Sequence, residues 1–408
     1  MMSPVVRQVL WVRGLRAFGD GFVSLLLPAY LITLGFGPLQ VGALATCTLL
    51  GSGVMTLAVG MNARRFRYRS LLLAAAVLMS ATGLGFSLVT DFLPLLLIAI
   101  VGTLNPSSGD VSVFLPLEHA VLAHVVEDRQ RTALFARYSL IGALVGALGA
   151  LAAGIPELAA RALQTDIKVL LQAMFALYGC LGIASAVIYR KMPADLAKEA
   201  QIPPEPLNKS RKIVYTLAAL FSIDAFGGGF IVQSLLALWL FERFELSIRT
   251  AGTIFFWTGV LSAFSYLLAV RISKRIGLVN TMVFTHLPAN VFLILIPFLP
   301  TLVWVIVLLL LRSALSQMDV PTRSSYVMAV VTPSERAAAA SMTAVPRSLA
   351  SSASPFLAGY LLSVSAFGWP LIIGGAIKIV YDVLLLAMFR RVRPPEEAEG
   401  RGRSGESS

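Results

Sequence analysis

Ala17-Phe18-Gly19-Asp20-Gly21-Phe22 recurs in the second half of the chain as Ala225-Phe226-Gly227-Gly228-Gly229-Phe230. A second set recurs in the same order at nearly the same spacing. Val125-Val126, Arg131, Ala133 and Ala153-Gly154 line up with Val330-Val331, Arg336, Ala338 and Ala358-Gly359, and Pro116 falls on Pro321. Two ordered matches make the 408-residue chain a tandem of related halves. Both halves are strongly apolar. In membranes, repeats of this kind place a solute path at the interface between them.

Composition points to the bilayer independently. Hydrophobic residues make up 57% and charged residues 13%, with mean hydropathy +0.81, whereas a soluble domain carries about 25% charged residues. Apolar stretches of roughly 20 residues, the length that crosses a hydrocarbon core, lie near 12–34, 39–60, 70–90, 93–123, 133–155 and 167–189. A second set lies near 213–240, 250–270, 279–300, 302–330, 337–364 and 369–390. The expected fold is all-α: a polytopic membrane protein with twelve transmembrane helices in two pseudo-symmetric six-helix bundles, residues 1–190 and 211–391. A proline-rich, charged linker (191–210) joins them, and a polar tail (392–408) follows, too poor in apolar residues to pack. The lead before Val12 shows no small-residue cleavage site, so the first span reads as retained.

The net charge of +12 is unevenly placed. Arg64, Arg65, Arg67 and Arg69 follow span two; Arg129, Arg131 and Arg137 follow span four; Arg271, Lys274 and Arg275 follow span eight; Arg390, Arg391 and Arg393 follow span twelve. Loops 35–38, 298–301 and 365–368 carry no charge, and 156–168 and 241–249 mix both signs. Basic residues concentrate on the cytoplasmic side, which places both termini in the cytoplasm and the chain in a bacterial-type inner membrane. The basicity therefore reports topology and not a nucleic-acid partner. Cys47 and Cys180 fall in spans and read as free thiols, and His119, His124 and His286 form no metal cluster. No cofactor or metal is expected. No phosphate-binding loop and no Ser/His/Asp set appears, so neither ATP hydrolysis nor catalysis is expected.

Twelve spans arranged six plus six, termini inside and a polar central loop resemble the major facilitator superfamily over residues 10–391. The family's mark is a Gly-x-x-x-Asp-Arg-x-Gly-Arg-Arg loop between spans two and three. Here Gly60-Met61-Asn62-Ala63-Arg64-Arg65-Phe66-Arg67-Tyr68-Arg69 keeps the glycine and the basic residues but puts Arg64 where the acid stands. Arg271-Ile272-Ser273-Lys274-Arg275-Ile276-Gly277 echoes it in the second half, again without the acid. The resemblance implies alternating access, without the latch that the family's acid provides. Superfamily antiporters carry Gly-Pro-rich sequence in span five. This chain has Gly142, Gly146, Gly149 and Gly154 there, with Gly142 and Gly146 at the four-residue spacing of helix packing, and its nearer analogue is Ser354-Pro355-Phe356-Leu357-Ala358-Gly359 in span eleven.

Ionisable residues inside spans are costly and mark cavities, pathways or pairs. Arg16 and Asp20 share a helix face; in the repeat, Arg16 maps onto Asp224 and Asp20 onto Gly228. Asp20, Arg16, Asp110 and Asp224 are the proton-coupling candidates, Asp20 first. Span four is broken by Asn105-Pro106-Ser107-Ser108-Gly109-Asp110, and such breaks are tolerated where they line a cavity. Asn105, Arg312, Gln317 and Arg347 are candidates for the substrate cavity. Glu118 and Arg323, at matching repeat positions, are read with Asp319 as a gate. Lys378 and Asp382, four apart, read as a structural pair, and His286 and Asn290 as interhelix hydrogen-bonding groups.

These readings converge on a secondary active transporter that moves a small organic molecule by alternating access, as proton-coupled efflux. The alternatives are an importer or uniporter of an anionic solute, served by Arg16, Arg312 and Arg347, and a non-transporting sensor or scaffold in a transporter fold. The expected partners are the solute, protons or another coupling ion, and the lipid bilayer, with the chain acting as a monomer.

Overall fold

A computed structural model describes residues 3–62, 66–107, 112–125, 128–193, 207–208, 210–332 and 335–390. Asp110, most of the linker, the tail and the centre of the Gly60–Arg69 loop lie outside them. The described residues are helical, with no strand among them. The first half runs α1 (Pro4–Thr33), α2 (Pro38–Asn62), α3 (Tyr68–Leu88), α4 (Phe92–Val101), α5 (Phe114–Val125), α6 (Asp128–Ala152), α7 (Ile155–Leu163) and α8 (Ile167–Arg190). The second runs α9 (Arg211–Gly229), α10 (Gln233–Phe244), α11 (Ile248–Ile276), α12 (Leu278–Leu295), α13 (Leu302–Ser316), α14 (Asp319–Val330), α15 (Arg336–Val364) and α16 (Trp369–Phe389).

Among the described residues, ten helical segments are long and apolar enough to cross a membrane. Two of the twelve expected spans are absent from that set, each for a visible reason. The fourth is divided into α4 and α5 around the polar interruption. The eleventh, α15, is 29 residues long but serine-rich and carries Arg336 and Arg347. Large apolar side chains face outward along the spans, Leu88 at 78%, Leu93 at 71% and Phe284 at 59% exposure. Such a surface is stable only against lipid or another apolar partner. The protein is an integral, polytopic, all-α membrane protein.

Two compact units emerge, and they do not follow the halves of the sequence. The first comprises Met1–Glu199, Phe230–Val260 and Ser352–Pro370; the second comprises Ala200–Gly229, Leu261–Ser351 and Leu371–Ser408. Long second-half helices are thus shared, α11 and α15 each contributing one end to either unit.

Within the first unit, helices approach through glycine. A Cβ on Gly21 of α1 would strike the backbone of Gly146 and Ala150 on α6. The expected packing role of Gly146 is visible in this crossing, and a Cβ on Gly149 would likewise meet Phe18 and Gly21. Segments of the two sequence halves meet in this unit in the same manner. Gly42 of α2 lies against Pro355 and Gly359 of α15, where Phe356 N donates to Thr46 Oγ1 at 2.9 Å. Gly252 and Gly259 of α11 lie against Ala150 and Ala147 of α6. Arg249 N, at the start of α11, donates to Glu157 Oε2 of α7 at 3.1 Å, a carboxylate placed at a helix N-terminus where the dipole favours it. These contacts gather beside the loops that lack a basic excess.

The α1–α6 crossing is open to a direct test. Gly21→Val presses a branched side chain onto backbone that cannot retreat. It should destabilise the protein by about 1–3 kcal/mol or more, the cost of overpacking. A thermal melt in detergent reads the loss, and an unchanged midpoint would contradict the close approach.

Candidate functional site

A buried charge cluster sits at the centre of the first unit. Arg16 of α1 is 2% exposed and Glu118 of α5 is fully buried; their Nη2 and Oε2 atoms lie 2.6 Å apart. Three further groups complete the setting. Tyr189 of α8 donates to Glu118 Oε1 at 2.5 Å, and Tyr138 of α6 donates to Oε2. Arg16 Nη1 donates to Ser112 Oγ at 2.9 Å, and its guanidinium carbon stands 4.2 Å from the centre of the Phe114 ring. Four helices therefore converge on one carboxylate. Charge-assisted hydrogen bonds from three donors offset the desolvation that such a group suffers.

The second unit holds a larger cluster on four helices. Asp224 of α9 accepts from Lys378 Nζ of α16 at 2.6 Å and from Arg323 Nη1 of α14 at 3.2 Å. Arg323 also pairs with Asp319 one turn earlier. His286 Nδ1 of α12 lies 2.9 Å from Asp382 Oδ1 of α16, and Asn290 Nδ2 donates to Asp382 Oδ2 at 2.9 Å. The other ring nitrogen of His286 is 3.9 Å from Asp224 Oδ1, so the imidazole links the two halves of the cluster.

The two clusters are related by the repeat. Arg16 corresponds to Asp224 and Glu118 to Arg323, so Arg16–Glu118 and Asp224–Arg323 are equivalent pairs of opposite polarity. The sequence signal lay in combining the two correspondences, each visible separately. What sequence reasoning missed was that the partners pair within each half. Glu118 and Arg323, read from the sequence as a gate, each have ion-pair partners in their own half, Arg16 for the first and Asp224 with Asp319 for the second. Lys378 and Asp382, expected to pair with each other, diverge for a similar reason. Lys378 reaches Asp224, and Asp382 takes the bonds of His286 and Asn290. The tyrosines around Glu118 had no sequence signal beyond their place in spans.

The remaining candidates scatter. Asp20 is half-buried on α1 and is itself engaged. Asn105 is 2% exposed and shapes the break between α4 and α5, accepting from Ser107 N at 3.1 Å and Ser107 Oγ at 2.8 Å. Backbone carbonyls freed by that break are satisfied by Tyr178, which donates to Thr103 O at 2.9 Å, and by Ser234 N, which donates to Pro106 O at 3.0 Å. Gln317 ends α13 and accepts from Tyr266 at 3.2 Å. Arg312 is half-buried with its Nε unbonded among the described residues, and Arg347 is exposed on α15. Cys47 and Cys180 are free. Among the described residues no group of His, Cys, Asp and Glu could hold a metal.

The reversed polarity predicts a rescue. Glu118→Ala should destabilise by about 3–5 kcal/mol, the cost of stranding a buried charge. The double exchange Arg16→Glu with Glu118→Arg should recover part of that loss, since the second half already carries the opposite arrangement. Thermal melts of the single and double variants decide; a double variant no better than the single would contradict the equivalence.

Comparison with known proteins follows the same lines. An uncharacterized membrane protein of Saccharomyces cerevisiae (strain ATCC 204508 / S288c), YJR124C, is 25% identical over 419 aligned positions, covering 94% of this chain and 93% of the yeast protein. The crystal structure of the nucleoside transporter NupG superposes with a TM-score of 0.72 at 14% identity, over 95% of this chain and 100% of that one. The inward-open xylose transporter XylE from E. coli gives 0.72 at 14% identity, over 97% and 99%. At these identities the two structures speak for the fold alone. The family model of the Major Facilitator Superfamily matches residues 9–318 and 217–407, and with the paired halves and the broken fourth span it shows that this chain belongs to the Major Facilitator Superfamily and is a transporter of that fold.

Proposed function

We propose that the protein is a proton-coupled secondary transporter that moves a small organic solute across the membrane by alternating access. The observation that carries this reading is the close glycine-mediated approach of α11 to α6 and of α15 to α2. One end of each helix is sealed against first-half helices through glycine and alanine, and the other end packs elsewhere. Contacts between the two sequence halves at one end of their helices are what alternating access makes and breaks. The seal lies beside the loops without basic excess, so by the charge rule it is the non-cytoplasmic gate, drawn closed, with both termini inside.

Proton coupling rests on the buried carboxylates. Asp20 and Arg16 lie on α1, Asp224 takes the repeat position of Arg16, and Asp110 is a further candidate outside the described residues. Export is the direction of the proposal, supported by the antiporter-like Ser354–Gly359 stretch in the seal. A second reading, carriage of an anionic solute, is favoured by Arg312 and Arg347. Neither forms an ion pair among the described residues, and a guanidinium of that kind suits a carboxylate or phosphate.

Sealed proteoliposomes with an internal pH dye test the reading. Nucleosides and pentoses, chosen from what the fold relatives carry, and organic carboxylates make the panel. One class should move protons on addition, outward solute movement opposing inward proton movement. Flux of radiolabelled solute without any pH change would remove the coupling, and accumulation of carboxylates alone would favour the anionic reading.

A further inference from the structure

Buried charge in the second unit balances at every position but one. Asp224, Asp319 and Asp382 are buried, with Arg323 and Lys378 against the first two. Arg347 stands within electrostatic reach of Asp224, Asp319 and Arg323, so three carboxylates face three cations. The unit's other buried carboxylate among the described residues, Glu335, accepts from Asn208 N at 2.6 Å and from Ser210 N at 3.1 Å. Arg312 of α13 is left without a counter-charge. Among the described residues it makes no ion pair, and its Nε is buried with no acceptor.

The place of Arg312 on its helix shows where the side chain opens. Val305, Leu309, Ser313 and Ser316 form the buried face of α13. Arg312 stands seven residues after Val305, three after Leu309 and four before Ser316, so helical periodicity puts it on that face. Val303, Val307 and Leu311 form the exposed, lipid-facing side. Arg312 is nevertheless only half-buried, and a side chain on the packed face keeps such access only where the interior is open. Neighbouring polar groups are engaged with others: Ser313 donates to Leu309 O at 2.8 Å, and Gln317 accepts from Tyr266 at 3.2 Å. The repeat points the same way. The buried scaffold pairs recur in both halves, whereas Arg312 falls on Ser107, in the break between α4 and α5. Its charge is an addition to the second half and not part of the shared framework.

A guanidinium inside a span without a partner burdens the fold, and the charge that cancels it must come from solution. Its planar fork holds a carboxylate through two parallel N–H···O bonds. A phosphate monoester carries about −1.5 to −2 charges at pH 7 and would leave charge over, with no second cation beside Arg312, whereas a single carboxylate cancels it. We propose that Arg312 binds the carboxylate of the transported solute, which makes the cargo a small organic monocarboxylate. The proposal rests on the transporter reading above and narrows its solute. Arg347, already set against Asp224 and Asp319, is not the receptor.

Two measurements on the full chain in lipid nanodiscs test the site. The first needs no ligand. Arg312→Met removes an unmatched charge and keeps an unbranched side chain, so its thermal midpoint should equal or exceed that of the wild type. A midpoint well below it would mean that the change strands a buried carboxylate, and a partner for Arg312 within the protein overturns the proposal. The second is calorimetric titration with a set of monocarboxylates, benzoate and its homologues among them, each beside its neutral amide. One or more of the acids should bind where the matching amide does not. Arg312→Gln should weaken that acid about tenfold or more, the worth of hydrogen bonds to a charged group. Arg312→Lys should fall between, and Arg347→Lys should bind as the wild type does. No binding by any acid, or binding indifferent to Arg312→Gln, overturns the site. In proteoliposomes, solute flux that survives in Arg312→Gln keeps the transport reading and removes the site, whereas binding without flux keeps the site and removes transport.

Discussion

An arginine and a carboxylate buried in the same membrane-spanning bundle must find each other, because neither is tolerable alone. Arg16 and Glu118 meet this demand in the first half, and Asp224 and Arg323 meet it in the second. Much of the surrounding structure follows from these pairs. Tyr138 and Tyr189 point inward because Glu118 has further acceptor capacity. Ser112 is buried because Arg16 has donors left over. Each pair ties the first helix of its half to a later segment of the same half, α1 to α5 and α9 to α14.

The breaks are the second constraint. Between α4 and α5, and again between α9 and α10, the chain leaves helical geometry within a span. Backbone groups released there cannot be left bare in a bilayer. Asn105 turns the first break upon itself, and Tyr178 and Ser234 take its carbonyls. At the second break, Gln233 donates to Ser24 Oγ of α1 at 2.9 Å. Irregular backbone at this depth is the usual setting for solute contact in transporters, which gives the breaks a functional as well as a steric reading.

Much of the fold was legible in the sequence, because span length, loop charge and the internal repeat each report a constraint imposed by the bilayer. The interruption at Asn105 was legible for the same reason: a proline and a run of polar residues cannot continue a lipid-facing helix. Partnerships were less legible. Spacing along one helix put His286 and Asn290 on one face, and from it both reach Asp382 of α16. It misled for Lys378 and Asp382, because proximity on a helix face competes with stronger charges on neighbouring helices. Only tertiary packing sets that competition, and it puts Asp382 beside an imidazole and Lys378 on Asp224.

Since each buried pair closes within its own half, neither half depends on the other for electrical neutrality at that position. Synthesis proceeds from the N-terminus, and domains generally fold as they emerge. Arg16 therefore meets its counter-charge once α5 has entered the bilayer, before Asp224 has left the ribosome. The first half can wait in the membrane with its most expensive charge already neutralised, and biogenesis of the chain need not hold an unmatched arginine in lipid while the second half is made.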